Sequence, residues 1–335
     1  MLTIYDIAKQ TGFSPTTVSK ALNDYHDVSQ KTKKKILEAA EELGYLPNSH
    51  ARSLTTKKSW TIGVVFVESL GIGVKHPFFN AVIESFRQHV ETEGYDLLFA
   101  SRNIGNKQKS YLEHFKYRGV DGIVIVSTSN NDEQVQEVLN SSIPTVVIDI
   151  NSEETSVVYS DNISGSKQAV EYLHSLGHRR IAHIAGHHST FAGEQRLLGY
   201  EKAMNDLNLP LREDYVVDGR FFSRESGYEA MKKLLKLSTP PTAVFVAGDN
   251  MAIGAIEAIR DSGFDVPKDF SVMGFDDIEL SQFITPSLTT IRQRTYVIGK
   301  ESAKLLVHQM KSREKMIACA VVPTDLVVRK SCRAI

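Results

Sequence analysis

From Trp60 onward the chain repeats one texture, short apolar runs separated by amphipathic stretches. The runs are TIGVVFV, YDLLFA, DGIVIV, PTVVID, RIAHIA, YVVDG, TAVFVA and FSVMGF. A continuous apolar run bounded by turn residues is a strand buried on both faces, and strands alternating with helices make parallel sheets covered by helices. Eight such runs over roughly 230 residues are too many for one compact unit of ordinary size, so the pattern predicts two halves, each a doubly wound parallel α/β sheet. Pro286 and Thr289 to Ile291, followed by another helix and the late strand AVVPTDLVVRK, predict that the chain crosses back between the halves.

The first sixty residues do not share this texture. Ile4, Ile7 and Ala8 give a short first helix one apolar face, Gly12 can take the positive φ of a tight turn, and Val18, Ala21 and Leu22 continue the helical period beyond it. Ser14 is placed as an N-cap with Pro15 at the first helical position of a second helix. That helix turns Pro15, Thr16, Thr17, Ser19, Lys20 and Asn23 outward. Short hydroxyl and amide groups with one cation suit base edges and phosphates in a major groove, where the second helix of such a unit lies. A third helix is predicted from about Thr32 to Leu43, with Ile36, Leu37, Ala40 and Leu43 inward and Gly44 ending it. The same three helices equally fit a capped bundle that only binds protein. Residues 1 to 59 hold nine basic against six acidic side chains, a surplus of three positive charges, whereas the whole chain carries −1 and the remainder therefore −4. A basic head on an acidic body fits phosphate contact, although the run Lys31 to Lys35 also fits an ordinary solvated helix face.

The strings TIYDIAKQTGFSPTTVSKALN, ELGYLPNSHARSL, SLGHRRIAHIAG, QRLLGY, PTAVFVAGDNMAIGAI, FSVMGFDDIE and TPSLTTIRQ resemble the lactose-repressor (LacI/GalR) family of bacterial transcription regulators and recur in that family's order. The resemblance implies a helix-turn-helix DNA-binding headpiece (1–47), a hinge helix and linker (48–60) and a two-lobed, periplasmic-binding-protein-like effector core. It divides that core into an N-lobe (61–161 plus 292–319) and a C-lobe (162–291 plus 320–335), with three crossover strands near Asp161, Ile291 and Ala320. It places Pro15, Thr16, Ser19 and Lys20 on a recognition helix, and Thr3, Tyr5, Thr17, Asn23 and His26 at positions that grip phosphates. Ala51 and Leu54 fall on the hinge helix, whose paired copies enter the minor groove and wedge a base step apart. An isolated helix of about seven residues is too short to be stable in water, which predicts that the hinge folds only when two copies and DNA order it. His50 departs from the aliphatic residue more usual there.

Ligands of such sheets lie beyond the carboxyl ends of strands. Asp149 ends PTVVID, Asp276 ends FSVMGF, and Phe78 and Phe79 open the helix after TIGVVFV. Carboxylates that accept from hydroxyls, an aromatic face and a guanidinium fork equip a pocket for a small polyhydroxylated or planar ligand. By resemblance, Arg196 matches the effector arginine and Phe222 an aromatic platform. Each also has a structural reading: Asp149 or Asp276 as a helix cap, Arg196 in an internal salt bridge. Asp249 reads as the N-cap of the helix it precedes. Gly248, Val126 and Ala192 stand where polar effector contacts are common in the family, which argues against a lactose-type galactoside. His187, His188 and the pair Lys75-His76 are candidate substitutes, suited to an acidic sugar.

Other chemistries find little support. Gly71-Ile72-Gly73 lacks the third glycine of a dinucleotide fingerprint, and no GxSxG, Walker or HExxH pattern occurs. His178, His183, His187 and His188 do not have structural-zinc spacing. Two cysteines, Cys319 and Cys332, make no disulfide framework. The expectation is therefore a non-enzymatic regulator with no cofactor or metal. Its partners are double-stranded operator DNA, a small-molecule effector (a sugar, sugar acid or similar) and a second copy of itself. One helix reads too few base pairs to find a site alone, which predicts a homodimer on a palindromic operator, and no Leu heptad tail extends it to a tetramer. The start of the chain has no signal-peptide pattern, which predicts a cytoplasmic protein; of the runner-up, an exported or cytosolic small-solute-binding protein without DNA regulation, this disfavours the exported form.

Overall fold

The structure, a computed structural model, describes residues 2–45, 58–66, 76–101, 103–104, 107–126, 132–312 and 317–335. The chain forms two units, Met1–Trp60 and Thr61–Ile335.

In the first unit α1 (Ile4–Thr11) and α2 (Pro15–Leu22) are joined through Gly12, whose φ of 75° is the left-handed conformation the turn requires. Thr3 donates from its backbone N and Oγ1 to Asp6 Oδ2, at 2.8 and 2.9 Å, closing the start of α1. Ser14 caps α2 by accepting from the Thr17 amide at 3.1 Å. The third helix, α3 (Gln30–Glu42), begins before Thr32 because Ser29 supplies an earlier cap, accepting from the Thr32 amide. Ile7, Val18 and Ile36 are fully buried at the centre of this small core. Leu37 was expected inward but is half exposed, and Ala39 is buried instead. Positions 36, 39, 40 and 43 share one stripe, and Leu37 lies a step of the helical period away from it.

The second unit runs β1 (Thr61–Phe66), α4 (Pro77–Glu91), β2 (Asp96–Phe99), a hairpin of β3 (Asn103–Ile104) and β4 (Lys107–Gln108), α5 (Tyr111–Arg118), β5 (Gly122–Val126), α6 (Glu133–Leu139), β6 (Thr145–Ile148) and β7 (Ser156–Ser160). It continues with α7 (Asn162–Ser175), β8 (Ile181–Ala185), α8 (Phe191–Asp206), β9 (Val216–Asp218), α9 (Arg224–Leu235), β10 (Ala243–Val246), α10 (Asp249–Asp261), β11 (Ser271–Asp276), β12 (Thr289–Gln293), α11 (Thr295–Lys311), β13 (Cys319–Val322) and β14 (Thr324–Val327). All eight apolar runs are strands.

Two six-stranded sheets result, ordered β13-β7-β6-β5-β1-β2 and β14-β12-β11-β10-β8-β9. The first is parallel throughout, with Val64 of β1 level with Val124 of β5 and Phe99 of β2. The second is parallel except for β14, which runs antiparallel to β12. Burial on both faces holds for β5, β6, β8 and β10 but not for β2 and β9, whose residues are part-exposed because they are edge strands. Apolar layers cover both faces of the second sheet, one with Met251 and Leu234 and the other with Tyr200 and Phe275.

The chain crosses between sheets three times. The first crossing falls at Asp161, the N-cap of α7, which accepts from the Ser164 amide at 3.0 Å. The second falls at Arg294, after β12 is complete, three residues past Ile291. The third falls at Pro323, three residues past Ala320, because Cys319 to Val322 pair with β7 and Thr324 to Val327 pair with β12. What reads as one late strand is thus two, in different sheets, broken at a proline that has no amide to give to either ladder.

Candidate nucleic-acid interface and ligand cleft

On the first unit, Ile4 and Tyr5 of α1, Pro15, Thr16, Ser19 and Lys20 of α2, and Tyr25 line one concave surface. Tyr5 is 68% exposed there. Five expected contact residues therefore come together. Tyr25, in the turn after α2, completes the surface; its only signal in the sequence is an aromatic among polar turn residues. Thr3, Thr17, Asn23 and His26 lie outside this lining. Thr3 and Thr17 serve the helix starts, Thr17 Oγ1 lying 2.9 Å from Ser14 Oγ, and Asn23 Nδ2 donates back to Ser19 O at 2.8 Å. Ala51, Leu54 and His50 lie outside the described residues.

In the second unit, a cleft with an empty volume of about 400 Å³, partly open to solvent, is lined from the ends of strands in both sheets. His76, Phe78 and Phe79 follow β1 and Asp149 follows β6. From the other sheet come Ala192 and Arg196 on α8, Phe222 after β9, Gly248 and Asn250 after β10, Asp276 ending β11 and Gln293 ending β12. All six expected effector residues are thus in one cleft.

Arg196 is 3% exposed and organises the floor. Its Nε donates to Asn162 Oδ1 at 2.8 Å, and its Nη1 donates to Ala247 O at 2.5 Å and to Asp276 Oδ1 at 3.3 Å. Its Cζ lies 3.8 Å from the centre of the Phe275 ring and 5.7 Å from that of Phe222. The internal ion pair and the pocket position are therefore both true of this residue. Asp276 also accepts from Gln293 Nε2 at 2.7 Å. Neither Asp149 nor Asp276 caps a helix. Both have positive φ, 58° and 116°, turning the chain out of the strand at the cleft. Burial pushes the carboxyls of both above the usual range, with the charge of Arg196 pulling them back. Asp149 Oδ1 and Gln293 Oε1 are buried without a hydrogen-bond partner.

Phe222 takes φ 63° and lies against two glycines. A Cβ on Gly186 would stand 2.2 Å from its ring, and one on Gly248 would stand 3.1 Å away. The absence of a side chain at 248, read in the sequence as a lost polar contact, is what makes room for this ring.

Asp249 corrects another expectation. The cap of α10 is Gly248, and Asp249 is the first helical residue, fully buried. It accepts from the Ile278 amide at 2.9 Å, Ser281 Oγ at 2.6 Å and Thr290 Oγ1 at 2.6 Å. It thus ties α10 to the loop after β11 and to β12. Burial and the nearby charge of Asp276 push its carboxyl up to about 8, against the pull of these donors.

The substitutes proposed for an acidic ligand separate. His76 lines the cleft, whereas His187 and His188 are not in its lining. The His187 ring is stacked on His188 and on Phe221, with Nδ1 2.7 Å from Ser189 Oγ. Lys75 lies outside the described residues. Val126 is buried in β5. Of the other histidines, His178 sits 2.9 Å from Thr242 Oγ1 and 3.0 Å from Ser271 Oγ. His183 is stacked between Tyr200 and Phe245, and burial pushes it down to about 4. Each has a packing role. Among the described residues no helix is long and apolar enough to cross a membrane.

Residues 3–48 match the family model of bacterial regulatory proteins, lacI family, and residues 170–332 match that of the periplasmic binding protein-like domain. The chain is 40% identical to a protein of Bacillus subtilis (strain 168) named probable HTH-type transcriptional repressor ExuR, covering 99% of both chains. It is 36% identical to the HTH-type transcriptional repressor PurR of Pasteurella multocida (strain Pm70), covering 100% of this chain and 99% of that one. Among solved structures it is similar to the lac repressor dimer bound to operator and the anti-inducer ONPF, with TM-score 0.83, 28% identity and 99% of each chain covered. It is also similar to the regulator CelR in complex with cellobiose, with TM-score 0.73, 30% identity, and 99% of this chain and 100% of that one covered. The two sequence relatives, from Bacillus subtilis and Pasteurella multocida, are named transcriptional repressors and not enzymes. A helix-turn-helix head, two parallel sheets and a cleft between their strand ends thus occur here together, and the chain belongs to the lacI family of transcriptional repressors.

Proposed function

We propose that the protein is a dimeric repressor of an operon for carbohydrate or related metabolism, acting in the cytoplasm on a palindromic operator, and that a small polyhydroxylated effector binds in the interlobe cleft. The observation that carries the ligand reading is that one cleft draws Phe78, Phe79 and Asp149 from the first sheet and Arg196, Phe222 and Asp276 from the second. A ligand held by both sets has different contacts in different lobe orientations, which is the condition for shifting their population. Asp149 Oδ1 and Gln293 Oε1 ask for hydrogen-bond donors, which hydroxyl groups supply, and the aromatic rings suit the apolar face of a sugar ring. In the head, Tyr5, Pro15, Thr16, Ser19 and Lys20 face the operator, with Thr3, Thr17, Asn23 and His26 toward phosphates. Ala51 and Leu54 act in the hinge as a segment ordered by pairing on DNA. Lobe movement sets the spacing of the two hinges and so couples operator affinity to effector affinity by the same free energy in both directions.

A thermal-shift panel of sugars, sugar acids, sugar phosphates and nucleobases tests the ligand reading, since a cleft ligand at about 100 times its Kd stabilises by about 2.7 kcal/mol. A hit must also alter operator affinity; a panel with sugars inert and nucleobases active overturns the polyhydroxyl reading. Calorimetry in buffers of different ionisation enthalpy separates sugar from sugar acid. Carboxyls already pushed upward in the cleft take up a proton when an anion enters, so a sugar acid binds more weakly as pH rises. A neutral sugar whose hydroxyls donate to these carboxylates favours their ionised form and so releases protons rather than taking them up. Sedimentation at twice the chain mass is the expected state, and a clean monomer at micromolar concentration contradicts the dimer.

A further inference from the structure

The concave face of the head has an unusual charge arrangement. The helix α2, Pro15–Leu22, carries one cation, Lys20, and no acid. Lys20 Nζ is ion-paired with the Asp27 carboxylate, seven residues on and beyond the turn. Both members are exposed, 41% and 56%, so the pair does little for stability. Its position is nonetheless fixed. Tyr25 N donates to Lys20 O at 3.0 Å, Asp24 takes φ 55°, and Val28, the neighbour of Asp27, is buried in the head's core. Asp27 is held below the usual carboxylate range by the Lys20 hydrogen bond, so it stays charged at neutral pH. The other acid of this turn, Asp24, has a different partner, Lys33 of α3.

The consequence lies in what a cation already compensated can recognise. Binding a phosphate would bring a second anion against Asp27 and would displace fewer counterions, since Lys20 enters with its charge already matched. A neutral base-edge acceptor such as guanine O6 or N7 imposes neither cost, because the ammonium can keep Asp27 on one hydrogen and donate another to the base. We infer that Asp27 is a positioning residue that turns Lys20 from a phosphate contact into a base contact, lowering affinity for arbitrary DNA and raising discrimination for the operator. The inference rests on the reading of Lys20 as a DNA-facing residue.

The test uses the full-length protein with two duplexes: one recovered by the wild-type protein from a random-sequence pool, and a scrambled version of it. Binding is followed by fluorescence anisotropy from about 50 to 200 mM salt for wild type, Asp27→Asn, Asp27→Glu, Lys20→Gln and the double variant Lys20→Gln/Asp27→Asn. Asp27→Asn is expected to tighten binding to the scrambled duplex several-fold and to steepen the log–log salt slope by about 0.9 per head. The ratio of selected to scrambled affinity should fall. Asp27→Glu should restore the wild-type slope, and Asp27→Asn should change nothing in the Lys20→Gln background. Equal melting temperatures confirm that the heads are folded. If Lys20→Gln weakens selected binding while Asp27→Asn leaves slope and ratio unchanged, the positioning role is wrong although Lys20 still reads DNA. If Lys20→Gln changes neither duplex, the placement of Lys20 on DNA fails, and the inference with it.

Discussion

Gly186→Ala should damage effector recognition without touching the operator-binding head, through one contact. The 2.2 Å separation between a Cβ at this position and the Phe222 ring must open by about 1.2 Å to reach the 3.4 Å at which ordinary contact begins. The Gly186 backbone does not resist the change, since its φ is not among the positive values. Phe222, however, is already at φ 63° and packed beside Gly248, so its ring has to leave the cleft wall. Overpacking of this kind costs about 1–3 kcal/mol of stability. Loss of an aromatic face from a bound ligand costs about 0.5–1.5 kcal/mol, which is up to roughly tenfold in affinity. Calorimetry with the ligand found in the thermal-shift panel, together with anisotropy on operator DNA, measures both. The Phe222→Ala background completes a double-mutant cycle, in which Gly186→Ala should add no further loss. Unchanged effector affinity in Gly186→Ala, or a loss that persists without the Phe222 ring, would refute the reasoning.

Three further outcomes are expected. Arg196→Met removes one partner of a buried pair and leaves Asp276 and Ala247 O to share fewer donors, so chemical unfolding should show a loss of about 3–5 kcal/mol along with loss of the effector response. Adding Asp276→Asn should recover part of that stability, and an Arg196→Met protein as stable as wild type contradicts the role given to the guanidinium. The Asp249 carboxyl, pushed up to about 8, holds its proton more tightly folded than unfolded. Its contribution is therefore intact below the ordinary carboxylate range, erodes as pH rises toward 8 and is constant above it. Asp249→Asn should flatten this part of the stability–pH curve, measured by urea unfolding across that window; an unaltered slope places the titration elsewhere. Leu54→Ala should weaken specific operator binding while sparing effector binding, and parallel loss of both would point to global unfolding instead.

Much of the architecture was legible because the signals are short-range. Ser14 with Pro15, Gly12 and Gly44 mark helix ends by backbone chemistry alone, and each apolar run from TIGVVFV to FSVMGF became a strand. The errors came where a local pattern admits several partners. Leu37 is apolar and one residue from the buried stripe, so composition could not exclude it from the core. Edge strands such as Asp96–Phe99 look like central ones until their neighbours are known. Asp249 precedes an apolar helix as a cap would, but its three donors come from residues 278, 281 and 290.

The amino-acid order alone determined the helix-turn-helix head, the two-sheet α/β body and the strand ends at which a ligand must lie. These follow from backbone capping and from hydrophobic period, which act over a few residues. Only the tertiary structure decided that Arg196 meets both Asp276 and Ala247, that Phe222 fills the space left by Gly186 and Gly248, and that Asp27 holds Lys20. Such pairings depend on distances between parts of the chain that the hydrophobic burial of other residues brings together, and no local rule of spacing encodes them.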